Sequence, residues 1–176
     1  SSLSVATDLL IAYGTGSTGT VTVRDPASSL SANAIYVGGS PHTSGGIATL
    51  NIESGSVVAN TLRLPAAGPS SLNLTGGSLK LGSIVSGPDP SRLHWTGGSL
   101  ELTNYAFAVS PTPFPGPSRT LLFPEIANPN FNPGPTFTLT PGMALKLSGA
   151  DQCLSVDNGG ILSATGASIS VAHRVF

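Results

Sequence analysis

Leucine, valine and isoleucine recur at every second position in short runs along the chain: Leu50/Ile52, Leu62/Leu64, Leu72/Leu74, Leu79/Leu81 and Leu100/Leu102. Period-two alternation marks a strand with one buried face. The runs are themselves repeated. TGGSLKL at 75–81 returns as TGGSLEL at 96–102, changed only from Lys80 to Glu101. Each copy follows another strand-like run, SLNL at 71–74 and RLHW at 92–95, so the unit is strand, glycine turn, strand. TLNI at 49–52 leads into ESGSVVA in the same way, TVTV at 20–23 into RDPASSLSA, and TFTL at 136–139 into TPGMALKL.

A third run completes each period: LLIAYG at 9–14, AIYVGG at 34–39, TLRLP at 61–65 and SIVSG at 83–87. Three short strands per repeat of roughly 21 to 29 residues cannot fold as separate layers, and self-similarity at such a period signals stacked repeats. The pattern predicts one all-β domain over 1–176, a three-sided parallel β-solenoid, right-handed by the general preference of parallel crossovers. Regular coils are expected over 1–109, a loop insertion over 110–135, and C-terminal coils over 136–176. An antiparallel sandwich shares the alternation. A solenoid, however, places each residue over its counterpart one repeat away, which makes apolar ladders of Leu72, Leu93 and Phe137 and of Leu81, Leu102 and Leu147.

The same stacking accounts for the one changed position. In LKL and LEL the leucines face the core, so Lys80 and Glu101 project outward from adjacent strands about 4.8 Å apart. Lys146, in the next LKL, continues the column. Alternating signs avoid like-charge repulsion, a structural register device worth roughly 0.2–1 kcal/mol per exposed pair. By the same inward and outward assignment Trp95 belongs to the core and His94 to the surface. Asn73 is outward and inexpensive to replace, although Asn73, Leu74 and Thr75 spell a glycosylation sequon.

Composition narrows the function. Charged residues make up 9% of the chain, against roughly 25% in an average globular protein, and 22 glycines and 15 prolines favour turns and short strands. A net charge of −1 gives no positive field for nucleic acid or an anionic membrane. No apolar run is long enough for a membrane-spanning helix, and the first residues lack a signal-peptide pattern, so a secreted form would be processed or trimmed. The single cysteine, Cys153, has no partner for a disulfide within the chain and is expected to be a small packed residue.

No catalytic, cofactor or metal site is expected. The acids Asp8, Asp25, Asp89, Asp151, Asp157, Glu53, Glu101 and Glu125 are scattered, whereas a glycosidase needs a carboxylate pair and calcium needs several carboxylates together. His42, His94 and His173 show no ligand spacing, and GxSxG and GGxGxD are missing. DNGG at 157–160 reads as a turn, and Thr-x-Thr recurs too rarely for an ice-binding array.

The segment IYVGGSPHTSGGIATLNIESGSVVANTLRL at 35–64 resembles the repeat of bacterial autotransporter passengers and of exported proteins with a PEP-type sorting tail. The likeness is good over 9–104 and loose over 136–171. It implies a β-solenoid at or outside a bacterial-type cell surface, usually a stalk or scaffold. No membrane barrel follows, and the closing VAHRVF has neither a PEP motif nor an apolar tail.

Two features suggest what such a scaffold does. The stretch 110–135, SPTPFPGPSRTLLFPEIANPNFNPGP, holds eight prolines together with Phe114, Phe123 and Phe131. Proline removes ladder donors, so this stretch is expected to leave the coil, either folding back as a cover or presenting an interface. The chain also begins in strand-like SLSVA at 2–6 and finishes in SISVAHRVF at 168–176, with no capping element over either edge. Either caps belong to further sequence or the ends stack. The leading expectation is an extracellular structural subunit whose partner is another copy of itself, assembling head to tail into a fibre or surface layer, with 168–171 pairing to 3–6. Its self-association residues are Leu3, Val5, Phe114, Phe123, Phe131, Ile169 and Val171. The alternative is a polysaccharide-binding adhesin or passenger fragment, and behind it a glycan-active β-helix enzyme.

Overall fold

A computed structural model describes residues 1–40, 43, 45–64, 69–86, 92–103, 106–109, 120–122, 136–148, 153–156, 161–171 and 174–175. Among them every strand pairing is parallel and no helix occurs; the strands stack coil upon coil into a β-solenoid. The chain enters through β1 (Ser2–Ile11) and then alternates short and long strands: β2 (Thr18–Val23), β3 (Ser29–Val37), β4 (Ile47–Ile52), β5 (Ser56–Leu64), β6 (Ser71–Leu74) and β7 (Ser78–Ser86). Later coils are cut shorter, into β8 (Leu93–Trp95), β9 (Gly98–Leu102), β10 (Ala106–Val109), β11 (Thr120–Leu122), β12 (Thr136–Leu139), β13 (Met143–Leu147), β14 (Cys153–Val156), β15 (Ile161–Ala164), β16 (Ser168–Val171) and β17 (Arg174–Val175). The main sheet runs β1-β3-β5-β7-β9-β13-β16, beside sheets β2-β4-β6-β8, β12-β15 and β11-β10-β14-β17.

The second and third runs of each early repeat, expected as separate strands, are one strand here. β3, β5 and β7 each turn a corner of the coil without a break, and their pairing skips Asn33, Asn60 and Gly82. Against Asn33, β1 carries the two residues Ala6 and Thr7, a bulge between Val5 and Asp8. At this corner Asn60 Nδ2 donates to Asn33 Oδ1 at 3.0 Å. In the next coil the corner residue is Gly82, where a Cβ would lie 2.5 Å from the Asn60 carbonyl oxygen.

The insertion also behaves differently from a loop that leaves the coil throughout. β11 lies inside it and pairs in parallel with β10. Thr120, Leu121 and Leu122 form a proline-free run with strand-compatible residues, so nothing prevents them from joining a ladder. Phe114, Phe123 and Phe131 lie outside the described residues.

Stacked apolar columns fill the interior. Leu81, Leu102 and Leu147 are in register, and all three are fully buried. Leu50, Leu72 and Leu93 form a second column, but Phe137 does not extend it: β12 belongs to its own sheet and pairs Phe137 with Leu162. A sequence alignment counts strand order, whereas in the fold the ladder of that face ends at β8 while β9 and β13 stay paired. Trp95 is buried, as its alternation required.

The repeated TGG turn has two constraints in two glycines. A Cβ at Gly76 would collide with the Glu53 carbonyl oxygen of the previous coil. Gly77 has φ +66° and a Cβ there would be 2.5 Å from the Gly55 oxygen. Gly55 and Gly98 hold the same left-handed conformation in neighbouring coils. Ala12 is the one described non-glycine residue with positive φ, at 54°. A left-handed non-glycine residue costs roughly 1–2 kcal/mol. Gly77→Ala should therefore lose at least about 2 kcal/mol once the collision is added, while Ala12→Gly should be neutral or gain up to about 1 kcal/mol. Denaturant melts of the two variants check the ranking; equal losses would mean that φ does not limit either turn.

Candidate functional site

The charged column expected from the sequence is present. Lys80 pairs with Glu101 in the β7–β9 ladder and Lys146 with Glu101 in the β13–β9 ladder. Lys80 Nζ is 3.1 Å from Glu101 Oε1, and Lys146 Nζ is 3.3 Å from Oε2. Both lysines are about half exposed, but the Glu101 side chain is only 18% exposed, so the column is less solvated than its outward direction suggested. The reason is a third partner that the repeat pattern did not reveal: Ser148, just beyond β13, donates its hydroxyl to Glu101 Oε1 at 2.6 Å. Desolvation pushes the Glu101 carboxyl up. The Ser148 hydroxyl and the two lysines more than offset it, and the net direction is down from the ordinary value of 4.5.

A second column crosses the outer face of β2, β4, β6 and β8. Asn51 Nδ2 donates to Thr22 Oγ1 at 3.3 Å, and Asn73 Nδ2 donates to Asn51 Oδ1 at 2.7 Å. His94 Nδ1 stands 2.7 Å from Asn73 Oδ1. Because that oxygen can only accept, His94 carries its hydrogen on Nδ1 and donates. Asn73 is thus outward, as expected, but half-buried and bonded on both sides, and its sequon nitrogen is held against the coil above. Aligning TVTV, TLNI, SLNL and LHW by their last apolar residue is the signal that would have found Thr22, Asn51, Asn73 and His94 as one column. Ser70, also unforeseen, is buried just before β6, where its hydroxyl accepts from Ala48 N at 3.0 Å and donates to the Gly46 oxygen at 3.3 Å.

Of the residues expected to mediate self-association, four fall on the two edge strands of the main sheet, while Phe114, Phe123 and Phe131 lie outside the described residues. Leu3 and Val5 are on β1, and Ile169 and Val171 on β16. They are not brought together within one copy; the stack separates them. Among the described residues no group of three or more His, Cys, Asp or Glu could hold a metal ion. Among the same residues no helix is long and apolar enough to cross a membrane. The arrangement is therefore one of ordered polar and charged columns on the faces, with β1 and β16 as the edge strands of the main sheet. No protein-family model, curated protein or solved structure matches the chain.

The amide ladder should be worth more than a surface asparagine. Leu72→Ala should cost about 2–5 kcal/mol as a buried aliphatic, and Asn73→Ala about 1–2 kcal/mol, because it leaves both Asn51 and His94 short of a partner. Thermal melts of the pair give the comparison; no loss at Asn73 would mean that water replaces the ladder freely.

Glu101 generates a pH dependence. A carboxyl held below its unfolded pKa adds stability that is present above the ordinary value and is lost as pH falls through the lowered one. Wild type should exceed Glu101→Gln by about 1 kcal/mol at neutral pH, with the difference closing as the pH falls from neutral through the lowered carboxyl pKa. Glu101→Lys, which stacks three lysines, should cost about 2–3 kcal/mol. Denaturant titrations across that pH range measure the gap; a constant difference would assign the stabilisation to packing.

Proposed function

We propose that this chain is a structural β-solenoid subunit, extracellular or at a cell surface, whose coils continue from one copy into the next as a fibre or layer. One observation carries the proposal. The apolar column through the main sheet is at most 3% exposed at Leu30, Val57, Leu79, Leu100 and Leu145, yet Leu3 above it is 52% exposed and Ile169 below it 36%. A further coil of the same kind laid on either edge would complete the column. Edge strands also carry unpaired backbone groups that template further pairing. A contact between opposite ends is heterologous, so it propagates as an open filament when its rotation does not close. Phe114, Phe123 and Phe131 are assigned to the same contact, where buried apolar surface contributes about 25 cal/mol per Å² before association costs. The extracellular, bacterial-type setting rests on the autotransporter-like repeat.

The second reading is a carbohydrate-binding adhesin. It draws its support from the uncharged hydroxyl and amide column of Thr22, Asn51, Asn73 and His94, whose donors and acceptors match those of neutral sugars. Electron microscopy and sedimentation at neutral pH separate the two. The first reading expects filaments from the parent chain, dispersed by Leu3→Lys or Ile169→Lys, which alter exposed positions and leave the fold intact. Deleting 112–132 should weaken the association. A parent chain that stays monomeric at high concentration eliminates the fibre and leaves the adhesin.

A further inference from the structure

Resting on that reading, we infer that copies join in the register of the solenoid itself, with Ile169 of one copy stacked on Leu3 of the next and Val171 on Val5. The pairings through the main sheet determine this phase. One column reads Leu3, Leu30, Val57, Leu79, Leu100, Leu145, Ile169, and the next reads Val5, Ala32, Ala59, Leu81, Leu102, Leu147, Val171. Between them the outward column is Ser4, Ser31, Val58, Lys80, Glu101, Lys146, Ser170. The N-terminal edge therefore presents SLSV at 2–5 and the C-terminal edge SISV at 168–171, residue for residue in the same columns. Like falls on like at all four positions.

The chemistry of the edges suits this phase. Charges occupy the outward column inside the stack, and serine stands at both of its ends, so no charge is confined in the joint. Serine on serine is already used as a coil contact: Ser31 Oγ donates to Ser4 Oγ at 3.2 Å. The pairing of 168–171 with 3–6, read from the sequence, differs by one residue. That slip would set Ile169 against Ser4 and turn an apolar residue to solvent, because a one-residue shift exchanges the faces of a strand. The joint is also narrower than an interior coil contact. β2 pairs only with β4, one coil further in than β1, so the first face carries no continuous ladder across the joint. Association should accordingly depend on concentration.

Paired cysteines in a Cys153→Ser background test the register. Directly opposed residues on parallel strands are about 4.8 Å apart, within the span of a disulfide. Ser4 and Ser170 lie at opposite ends of one copy, so any link between them joins two copies. The double variant Ser4→Cys, Ser170→Cys should give a ladder of covalent multimers on oxidation and a non-reducing gel. Val5→Cys with Ser170→Cys should stay monomeric, since the two side chains then face opposite sides of the sheet. The reverse pattern would overturn the register in favour of the one-residue slip. Sedimentation of the reduced proteins is read in parallel. Oligomers with no cross-link in either variant place the contact elsewhere and sink the inference while leaving self-association standing. Absence of oligomers in the reduced parent removes the fibre reading and this register with it.

Discussion

In a parallel ladder each residue sits about 4.8 Å from its counterpart in the next coil, with its side chain pointing the same way. Every side chain must therefore tolerate a copy of its own position as nearest neighbour. The columns of this protein are different solutions to that one constraint. Leucine on leucine is favourable because both lose water together. Asparagine on asparagine is favourable because an amide can donate on one side and accept on the other, as Asn73 does between Asn51 and His94. Lysine on lysine is not, and Glu101 is placed between Lys80 and Lys146.

The constraint extends to the backbone of the turns. Successive coils approach so closely that Gly76, Gly82 and Gly97 have no room for a Cβ against the carbonyl of the coil above. Tight turns keep the rise per coil equal to the ladder spacing, and that equality keeps the apolar columns continuous. Local conformation and core packing are thus one requirement seen at two scales. A single turn that could not close would misalign every column below it.

Self-stacking also links fold to function. A ladder has no intrinsic last rung: the edge of β16 offers the next coil what β13 offered β16. A fold stabilised by contacts between successive like units carries an adhesive surface at each end unless something covers it. The fibre-forming role proposed above would need no dedicated binding site, only edges in the phase of the interior.

Much of this was legible in the chain. Period-two alternation named the strands, and the repeated TGGSL named the stacking. The change from lysine to glutamate identified an outward column, because these signals depend only on residues one repeat apart. What the repeat could not convey was anything that joins different positions or depends on where the ladder breaks. Ser148 reaches Glu101 from outside the aligned strands, and Asn33 and Asn60 turn a corner within single strands that the runs divided in two. Phe137 falls into a separate sheet, paired with Leu162, a break in the first-face ladder that no repeat period announces. Periodicity decided which residues face inward and which residue each one covers. The corners, the breaks and the cross-column bonds were decided by the path of the backbone in three dimensions, which no single repeat contains.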